Sequence, residues 1–248
     1  MKSVSDLRVQ IFADGADKAS MLELYRQPHI KGFTTNPTLM RAAGITDYPG
    51  FARDLLATIQ DRPISFEVFA DDEPEMEEQA RHIAAWGKNV FVKIPVMSTN
   101  GAPTYELIRH LSGEGIQLNV TALLTVEQVR HVCEALKARA YVSVFAGRIA
   151  DTGRDPVPLM REAVSMVNDV NAQLIWASPR ELLNVFQADE IGCHVITATG
   201  DILKKLPLVG KDLHEFSQET VQMFRGDAVK SGYSLPTARP GIPLVSRR

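Results

Sequence analysis

A single lysine interrupts an apolar segment of the chain, NVFVKIPV at residues 89–96. The segment has the length and the Val, Phe and Ile content of a buried β-strand. Burial of Lys93 disfavours its ammonium form, and a neutral amine is a nucleophile that forms a Schiff base with a carbonyl compound. Two other interpretations stay open. The side chain could reach solvent at a strand edge, or it could form a structural ion pair with Glu67.

Two carboxylates lie at comparable positions in other apolar runs. Asp14 follows the sequence IFA, and Glu67 lies between Phe66 and Val68. Forming and hydrolysing an iminium requires proton transfers, and cleaving a C–C bond next to it requires deprotonation of a hydroxyl. Both residues are candidates for these steps, although Asp14 in the sequence DGAD could equally be a turn or helix-cap residue.

Polar residues also occupy the ends of later strand-like runs. Asn119 and Thr121 are two residues apart, so on a strand their side chains share one face, and Ser143 and Phe145 have the same spacing. Such pairs could bind the hydroxyls of a polyol substrate. They could also be ordinary interior residues with local hydrogen bonds.

Two arginines follow the next pair of strand-like runs. Arg148 comes directly after Gly147, and Arg180 lies in the first turn of a helix that we predict to begin with Ser178 as its cap. An arginine beside helix N-terminal amides is typical of a phosphate site. Either arginine alone could instead be solvated or ion-paired, but two of them favour phosphate binding.

The elements that must position these side chains alternate regularly between strand and helix. Helix signals include the capping box at Thr125–Gln128 and an acidic start at Asp72 with a glycine stop at Gly87. The pattern predicts a TIM (β/α)8 barrel in preference to a doubly wound sheet, because no GxGxxG motif follows the first strand. The predicted strands are Val9–Ala13, Gly32–Thr35, Ile64–Ala70, Val90–Val96, Ile116–Ala122, Tyr141–Ala146, Gln173–Ala177 and His194–Ala198.

The domain organisation predicted from this pattern is a single α/β domain with an extension. Residues 1–232 form the barrel together with a C-terminal helix at about 211–230, and residues 233–248 form a tail that contains prolines. We expect this extension to serve as a packing or subunit-contact arm, and the protein to be a homo-oligomer.

Composition narrows the function classes. The 248 residues carry 27 basic and 30 acidic side chains, so neither nucleic acid nor an anionic membrane is an expected partner. The six histidines and two cysteines do not have metal-ligand spacing, which predicts no metal site. We expect Cys133 and Cys193 to be buried thiols. The N-terminus lacks the apolar core of a secretion signal, and the expected location is the cytoplasm.

Taken together, the motifs resemble those of the transaldolase family, specifically its short-chain group of transaldolases and fructose-6-phosphate aldolase-like enzymes. The resemblance spans about residues 9–225. It is carried by FAD at 12–14, GFTTNPTL at 32–39, FVKIP at 91–95, NVTA at 119–122, SVFAGRI at 143–149 and ASPR at 177–180.

The resemblance implies a role for each matching residue. Lys93 is similar to the Schiff-base lysine, Asp14 to the carboxylate that deprotonates the C4 hydroxyl, and Glu67 to the group that moves protons through a water held with Thr121. Binding of the dihydroxyacetone moiety is implied for Asn36, Asn119 and Ser143, and phosphate binding for Arg148, Ser178 and Arg180. The resemblance implies no metal or organic cofactor.

Two positions bear on the type of reaction. Fructose-6-phosphate aldolases of the family have Gln and Tyr where this chain has Glu67 and Phe145, so the resemblance implies a transaldolase of the pentose phosphate pathway. Such an enzyme transfers dihydroxyacetone from sedoheptulose 7-phosphate or fructose 6-phosphate to glyceraldehyde 3-phosphate or erythrose 4-phosphate. The alternatives are an aldolase that releases free dihydroxyacetone and a barrel that binds sugar phosphates without turnover. Thr197–Asp201 departs from the more proline-rich segment usual there.

Overall fold

The computed structural model describes residues 3–235. Eight strands pair in sequence order, all parallel, and β8 pairs with β1 to close a barrel. The predicted TIM barrel is therefore confirmed. The strands are β1 (Gln10–Asp14), β2 (Ile30–Thr34), β3 (Ile64–Glu67), β4 (Val90–Pro95), β5 (Leu118–Leu123), β6 (Ala140–Val144), β7 (Ala172–Trp176) and β8 (Val195–Thr199).

The helices between the strands cover the outside of the barrel. The helix Tyr105–Gly113, for example, presents a stripe of buried apolar residues, Leu107, Ile108 and Leu111. The helices are α1 (Lys18–Tyr25), α2 (Pro37–Ala42), α3 (Tyr48–Thr58), α4 (Glu73–Ala84), α5 (Tyr105–Gly113), α6 (Val126–Ala135), α7 (Ala146–Ala150), α8 (Val157–Asn168), α9 (Leu183–Glu190), α10 (Gly200–Leu203) and α11 (Leu213–Lys230).

The barrel interior is a separate apolar cluster below the polar residues. It consists of Phe12, Phe91, Tyr141, Ile175, Ala177 and Val195. Gly32 is required beside it, because a Cβ there would lie 2.6 Å from the Phe12 ring. Side chains thus fill the interior of the barrel, and the polar residues singled out above lie at its C-terminal end, where TIM barrels carry their active sites.

Several local predictions are confirmed and two are wrong. Thr125 and Gln128 form the predicted capping box of α6, and Asp72 caps α4, but α4 ends at Ala84 with Ala85 as its C-cap and not at Gly87. Both cysteines are buried, and burial raises the pKa of Cys133 to about 11 and that of Cys193 to about 12. Ser178 does not cap a helix, because α9 starts later and Asn184 Oδ1 accepts the amides of Arg180 and Glu181 instead.

Among the described residues, 208–235 belong to a second compact unit. It contains α11, whose N-terminus is capped by Asp212. The domain boundary predicted between residues 232 and 233 stays a prediction, and residues 236–248 of the predicted tail lie outside the described residues. Between residues 3 and 235, none of the helices is both long and apolar enough to span a membrane.

Candidate active site

The C-terminal ends of the barrel strands surround a cavity of about 580 Å³. Every residue predicted to be catalytic, substrate-binding or phosphate-binding contributes to its lining. The structure therefore brings the whole predicted set together, although it does not test their individual roles. The lining includes Asp14, Asn36, Glu67, Lys93, Asn119, Thr121, Ser143, Phe145, Arg148, Ser178 and Arg180.

Lys93 lies at the centre of this lining. It is 6% exposed, and its Nζ lies 2.8 Å from the carbonyl oxygen of Thr35 and 3.0 Å from Oε2 of Glu67. Strand register explains the second contact, since Glu67 and Lys93 are paired residues of β3 and β4. Of the interpretations drawn from the sequence, solvent exposure is excluded, and the ion pair with Glu67 is present.

Asp14 ends β1 and is tied to its neighbours by hydroxyls. Thr34 donates to Asp14 Oδ1 at 2.8 Å, and the hydroxyls of Thr34 and Thr197 are hydrogen-bonded to each other. Because Thr34 uses its proton on Asp14, Thr197 is the donor in the second bond. Burial raises the pKa of Asp14, and the charge of Lys93 and the bond from Thr34 offset only part of that rise. Asp14 is not a turn or cap residue.

Asn119 and Ser143 lie inside the barrel in a short hydrogen-bonded chain. The Asn119 amide donates to Ser65 Oγ at 2.9 Å, and Ser143 donates to Asn119 Oδ1 at 2.7 Å. These bonds fix the orientation of the amide. The second N–H of the Asn119 amide and the Ser143 oxygen remain able to bond to a substrate hydroxyl.

Thr121 is held by an irregular strand end. Its Oγ1 is buried and has no hydrogen-bond partner among the described residues. The next residue, Ala122, has a left-handed backbone with φ of 66°, and the β5–β6 register shifts between Val120 and Leu123. A bulge of this kind re-aims a side chain, here leaving the Thr121 hydroxyl available beside the cavity.

Two of the three residues of the predicted phosphate site, Ser178 and Arg180, contact each other. Arg180 donates to the carbonyl and hydroxyl oxygens of Ser178 at 3.0 and 2.9 Å, and it forms a two-pronged ion pair with Asp151. The ion pair lowers the pKa of Asp151. Arg148 is exposed, lies over the Phe145 ring and forms no salt bridge with any described residue.

A glycine permits this arrangement. A Cβ on Gly147 would lie 1.5 Å from the carbonyl oxygen of Ser178, so only glycine lets α7 approach the end of β7. Ser178 itself has φ of 58°, which is rare for a residue with a side chain. Ser178 and Ala122 both line the cavity with left-handed backbones, and such strain is characteristic of a functional site.

Asn36 and Phe145 differ from the sequence-based description in their local structure. Asn36 caps α2, with its Oδ1 accepting the amide of Leu39 at 2.9 Å, so its side-chain NH2 remains for a ligand. Phe145 was predicted to share a strand with Ser143, but β6 ends at Val144 and Phe145 precedes α7. Its ring nevertheless lines the cavity.

Sequence reasoning missed four residues that hold the site. Ser65 could have been found, because it lies two residues before Glu67 on the same face of β3, whereas Thr34 ends β2 and has no selected residue on its strand. Asp151 and Tyr48 carry no such signal, since their contacts cross between separate elements. Among residues 3–235 there is no group of His, Cys, Asp or Glu side chains arranged to hold a metal ion.

Comparison with known proteins places this geometry in a family. The family model for transaldolase/fructose-6-phosphate aldolase matches residues 11–235. The chain belongs to this transaldolase/fructose-6-phosphate aldolase family. The match covers β2 to β8, all of β1 except Gln10, and every residue of the cavity named above.

Curated relatives align with this chain over nearly their whole length. A "probable transaldolase" of Dehalococcoides mccartyi is 34% identical over 84% of this chain and 96% of its own. Another from a Thermoanaerobacter species is 31% identical over 92% of this chain and 100% of its own. A mandelate oxidase structure superimposes with a TM-score of 0.53 at 13% identity, covering 80% of this chain and 67% of its own, which shows the shared fold alone.

Proposed function

We propose that this chain is a transaldolase that transfers a dihydroxyacetone unit from a ketose phosphate to an aldose phosphate through a Schiff base on Lys93. One observation carries the proposal. The Lys93 amine is buried beside a carboxylate at the base of a cavity with polar walls. A buried lysine that can pass its proton to an adjacent carboxylate can attack a carbonyl carbon as a neutral amine.

Glu67 can accept the proton that Lys93 must lose to become a neutral amine. Its Oε2 is 3.0 Å from Lys93 Nζ, so a proton can pass from the ammonium to the carboxylate without changing the net charge of the buried pair. The free amine then adds to C2 of the ketose, and the C2 hydroxyl leaves as water once it is protonated. Glu67 supplies that proton, and Thr121, whose buried hydroxyl lies in the same lining, is suited to orient the water.

Asp14 performs the cleavage. In its ionised form it removes the proton of the C4 hydroxyl. The C3–C4 bond then breaks, the electron pair moves into the iminium, and the shortened aldose leaves. The remaining enamine attacks the carbonyl carbon of the acceptor aldehyde in the reverse sequence, with Asp14 returning its proton. Water finally hydrolyses the new iminium and releases Lys93.

The substrate is held at two ends. Ser143, Asn119 and the side-chain NH2 of Asn36 line the cavity and are suited to bind the hydroxyls of the three-carbon unit, with Ser65 orienting the Asn119 amide. Arg180 and Arg148 face the phosphate. A bound phosphate would replace the bonds of Arg180 to Ser178 or Asp151, which are exposed and therefore exchangeable.

Phe145 favours transfer over simple aldol cleavage. It presents no hydroxyl to the cavity, so protonation of the enamine, which would release free dihydroxyacetone, lacks a donor at this position. The experiment is to supply fructose 6-phosphate with and without erythrose 4-phosphate and to quantify sedoheptulose 7-phosphate and free dihydroxyacetone. We expect turnover to depend on the acceptor.

Phe145→Tyr should increase the share of free dihydroxyacetone, because a phenol can protonate the enamine. Lys93→Met serves as the inactive control. Turnover without acceptor in the wild-type protein would instead favour the aldolase, and an unchanged product ratio in Phe145→Tyr would contradict the role given to Phe145.

The setting of this activity is part of the proposal. Two buried thiols without a disulfide suit a reducing compartment, so we propose that the enzyme works in the cytoplasm. We also propose that it acts in pentose phosphate metabolism and that it is a homo-oligomer.

A further inference from the structure

The edge between β2 and β3 is interrupted beside the active site. The Phe33 amide donates to the Pro63 carbonyl at 2.9 Å, and the Thr35 amide donates to the Ser65 carbonyl at 3.2 Å. Alternate residues of β3 therefore face β2, and Glu67 is the next residue in this series. A continuing ladder would pair the Glu67 amide with the Thr35 carbonyl, and the Glu67 carbonyl with the amide of residue 37.

Glu67 forms neither of these bonds. The Thr35 carbonyl accepts the Lys93 ammonium at 2.8 Å, and residue 37 is a proline, which has no N–H. Both peptide groups of Glu67 that face β2 thus lack a strand partner. An unpaired backbone group that is shielded from water is destabilising, so the structure needs another partner there.

The side chain of Tyr48, the first residue of α3, supplies both bonds. The Glu67 amide donates to the Tyr48 hydroxyl at 2.8 Å, and the same hydroxyl donates to the Glu67 carbonyl at 3.0 Å. We propose that Tyr48 is a positioning residue, which replaces the missing strand pairing and holds the Glu67 carboxylate beside Lys93. This inference rests on the proposed function, because it assigns Tyr48 its effect through Glu67.

The surroundings of Tyr48 fix its ring. Its centroid lies 4.6 Å from that of Phe69, and it contacts Trp86 at 5.3 Å and Phe66 at 6.1 Å in edge-to-face geometry. Burial raises the pKa of Tyr48, so the phenol keeps the proton that it donates to the Glu67 carbonyl. A rigid ring with a protonated hydroxyl is what a lasting two-bond bridge requires.

The test compares Tyr48→Phe with the wild-type protein. The substitution keeps the ring and removes only the hydroxyl, so the end of β3 loosens and the Glu67 carboxylate leaves its place beside Lys93. We expect kcat to fall by about 10- to 100-fold, the effect of a misplacement on the order of 1 Å, with little change in KM for the donor. Tyr25→Phe is the matched control, because the Tyr25 hydroxyl bonds to Asp61 on the surface. It should leave kcat unchanged.

A second comparison separates positioning from general destabilisation. In a Glu67→Gln background, Tyr48→Phe should cause little further loss of kcat, because the group that it positions no longer exchanges protons. An equal loss of kcat in both backgrounds would show that Tyr48 does not act through Glu67. Wild-type kcat in Tyr48→Phe would likewise overturn the inference.

The outcomes remain distinct from failure of the proposed function. A wild-type protein without transaldolase activity refutes the function, whereas an active wild-type protein with an equally active Tyr48→Phe variant refutes only the positioning role. If Tyr48→Phe does not fold, amide hydrogen exchange in the wild-type protein decides. The Glu67 amide should exchange as slowly as the strand amide of Phe66, and rapid exchange would contradict the bridge.

Discussion

The pairing of Lys93 with Glu67 places two ionisable groups where water is scarce. Removing such groups from water costs more free energy than most single contacts return, so an ion pair of this kind seldom improves stability by itself. Here the pair lies at the base of a cavity rather than in a closed core. At the scale of the residue, we therefore interpret Lys93 and Glu67 as a pair that exchanges a proton and so makes the lysine reactive.

Asp14 provides a prediction that links stability to pH. Burial raises its pKa, so its ionised form is disfavoured in the folded protein. Asp14→Asn removes that ionisation and keeps an oxygen for Thr34. We expect the variant to lose activity and to have a higher Tm than the wild-type protein at pH 7.

The pH dependence is the control for this prediction. Below the ordinary pKa of aspartate, Asp14 is protonated in the folded and the unfolded state, so the difference in Tm should disappear there. Thermal unfolding followed by circular dichroism from pH 7 to pH 3 measures it. A constant difference across this range would contradict the role of ionisation.

Arg180 carries the prediction for phosphate recognition. Arg180→Ala should raise KM for fructose 6-phosphate about 10- to 100-fold, as expected for loss of a hydrogen bond to a charged group. The KM for unphosphorylated fructose should change little. Arg109→Ala is the matched control, since Arg109 forms a comparable surface pair with Glu106. Equal effects of Arg180→Ala on both donors would place the phosphate elsewhere.

At the scale of the element, the sequence predicts what depends on local pattern. Alternating strand and helix signals identify all eight strands, and the capping box at Thr125 marks the start of α6 correctly. The strand ends are less predictable. Ile64–Ala70 reads as one strand, but β3 stops at Glu67, where the proline that begins α2 ends the pairing with β2. The prediction of a helix cap at Ser178 is also wrong, because the strained turn there is set by contact with α7.

The close approach of α7 to the end of β7 yields the prediction at this scale. Gly147→Ala would place a methyl group against the Ser178 carbonyl, so the two elements must separate. We expect the free energy of unfolding to fall by about 1–3 kcal/mol, as overpacking does, and KM for fructose 6-phosphate to rise.

Gly113→Ala provides the matched control for Gly147→Ala. Gly113 lies in α5 with open space around it, so alanine there should be neutral or slightly stabilising. Urea unfolding and donor kinetics measure both effects. A Gly147→Ala variant that matches Gly113→Ala in both would contradict the role of this approach.

At the scale of the whole molecule, barrel closure gathers the site. Asp14 on β1 and Lys93 on β4 are far apart in sequence, yet both line one cavity because parallel strands end at one rim. Topology alone therefore predicts the set of residues. It does not predict contacts that cross between helices and strands, such as Tyr48 with Glu67 or Arg180 with Asp151.

The proposed homo-oligomer has a physical basis in α11. This helix exposes several large apolar side chains, with Val221 and Phe224 each 63% exposed. Exposed apolar residues in such number favour association with another surface, here a second copy. We expect light scattering to give a multiple of the chain mass, and Val221→Glu with Phe224→Glu to reduce it. Gln218→Glu, at an exposed polar position of α11, is the control for added charge. A monomeric wild-type protein would contradict the proposal.

Covalent trapping is the most direct test of a Schiff base on Lys93. The protein is incubated with fructose 6-phosphate, reduced with borohydride and analysed by peptide mass spectrometry, with Lys93→Met and substrate-free samples as controls. We expect the three-carbon unit to become attached to Lys93 and to no other lysine. Inactivation without an adduct on Lys93, or an adduct on another lysine, would contradict this expectation.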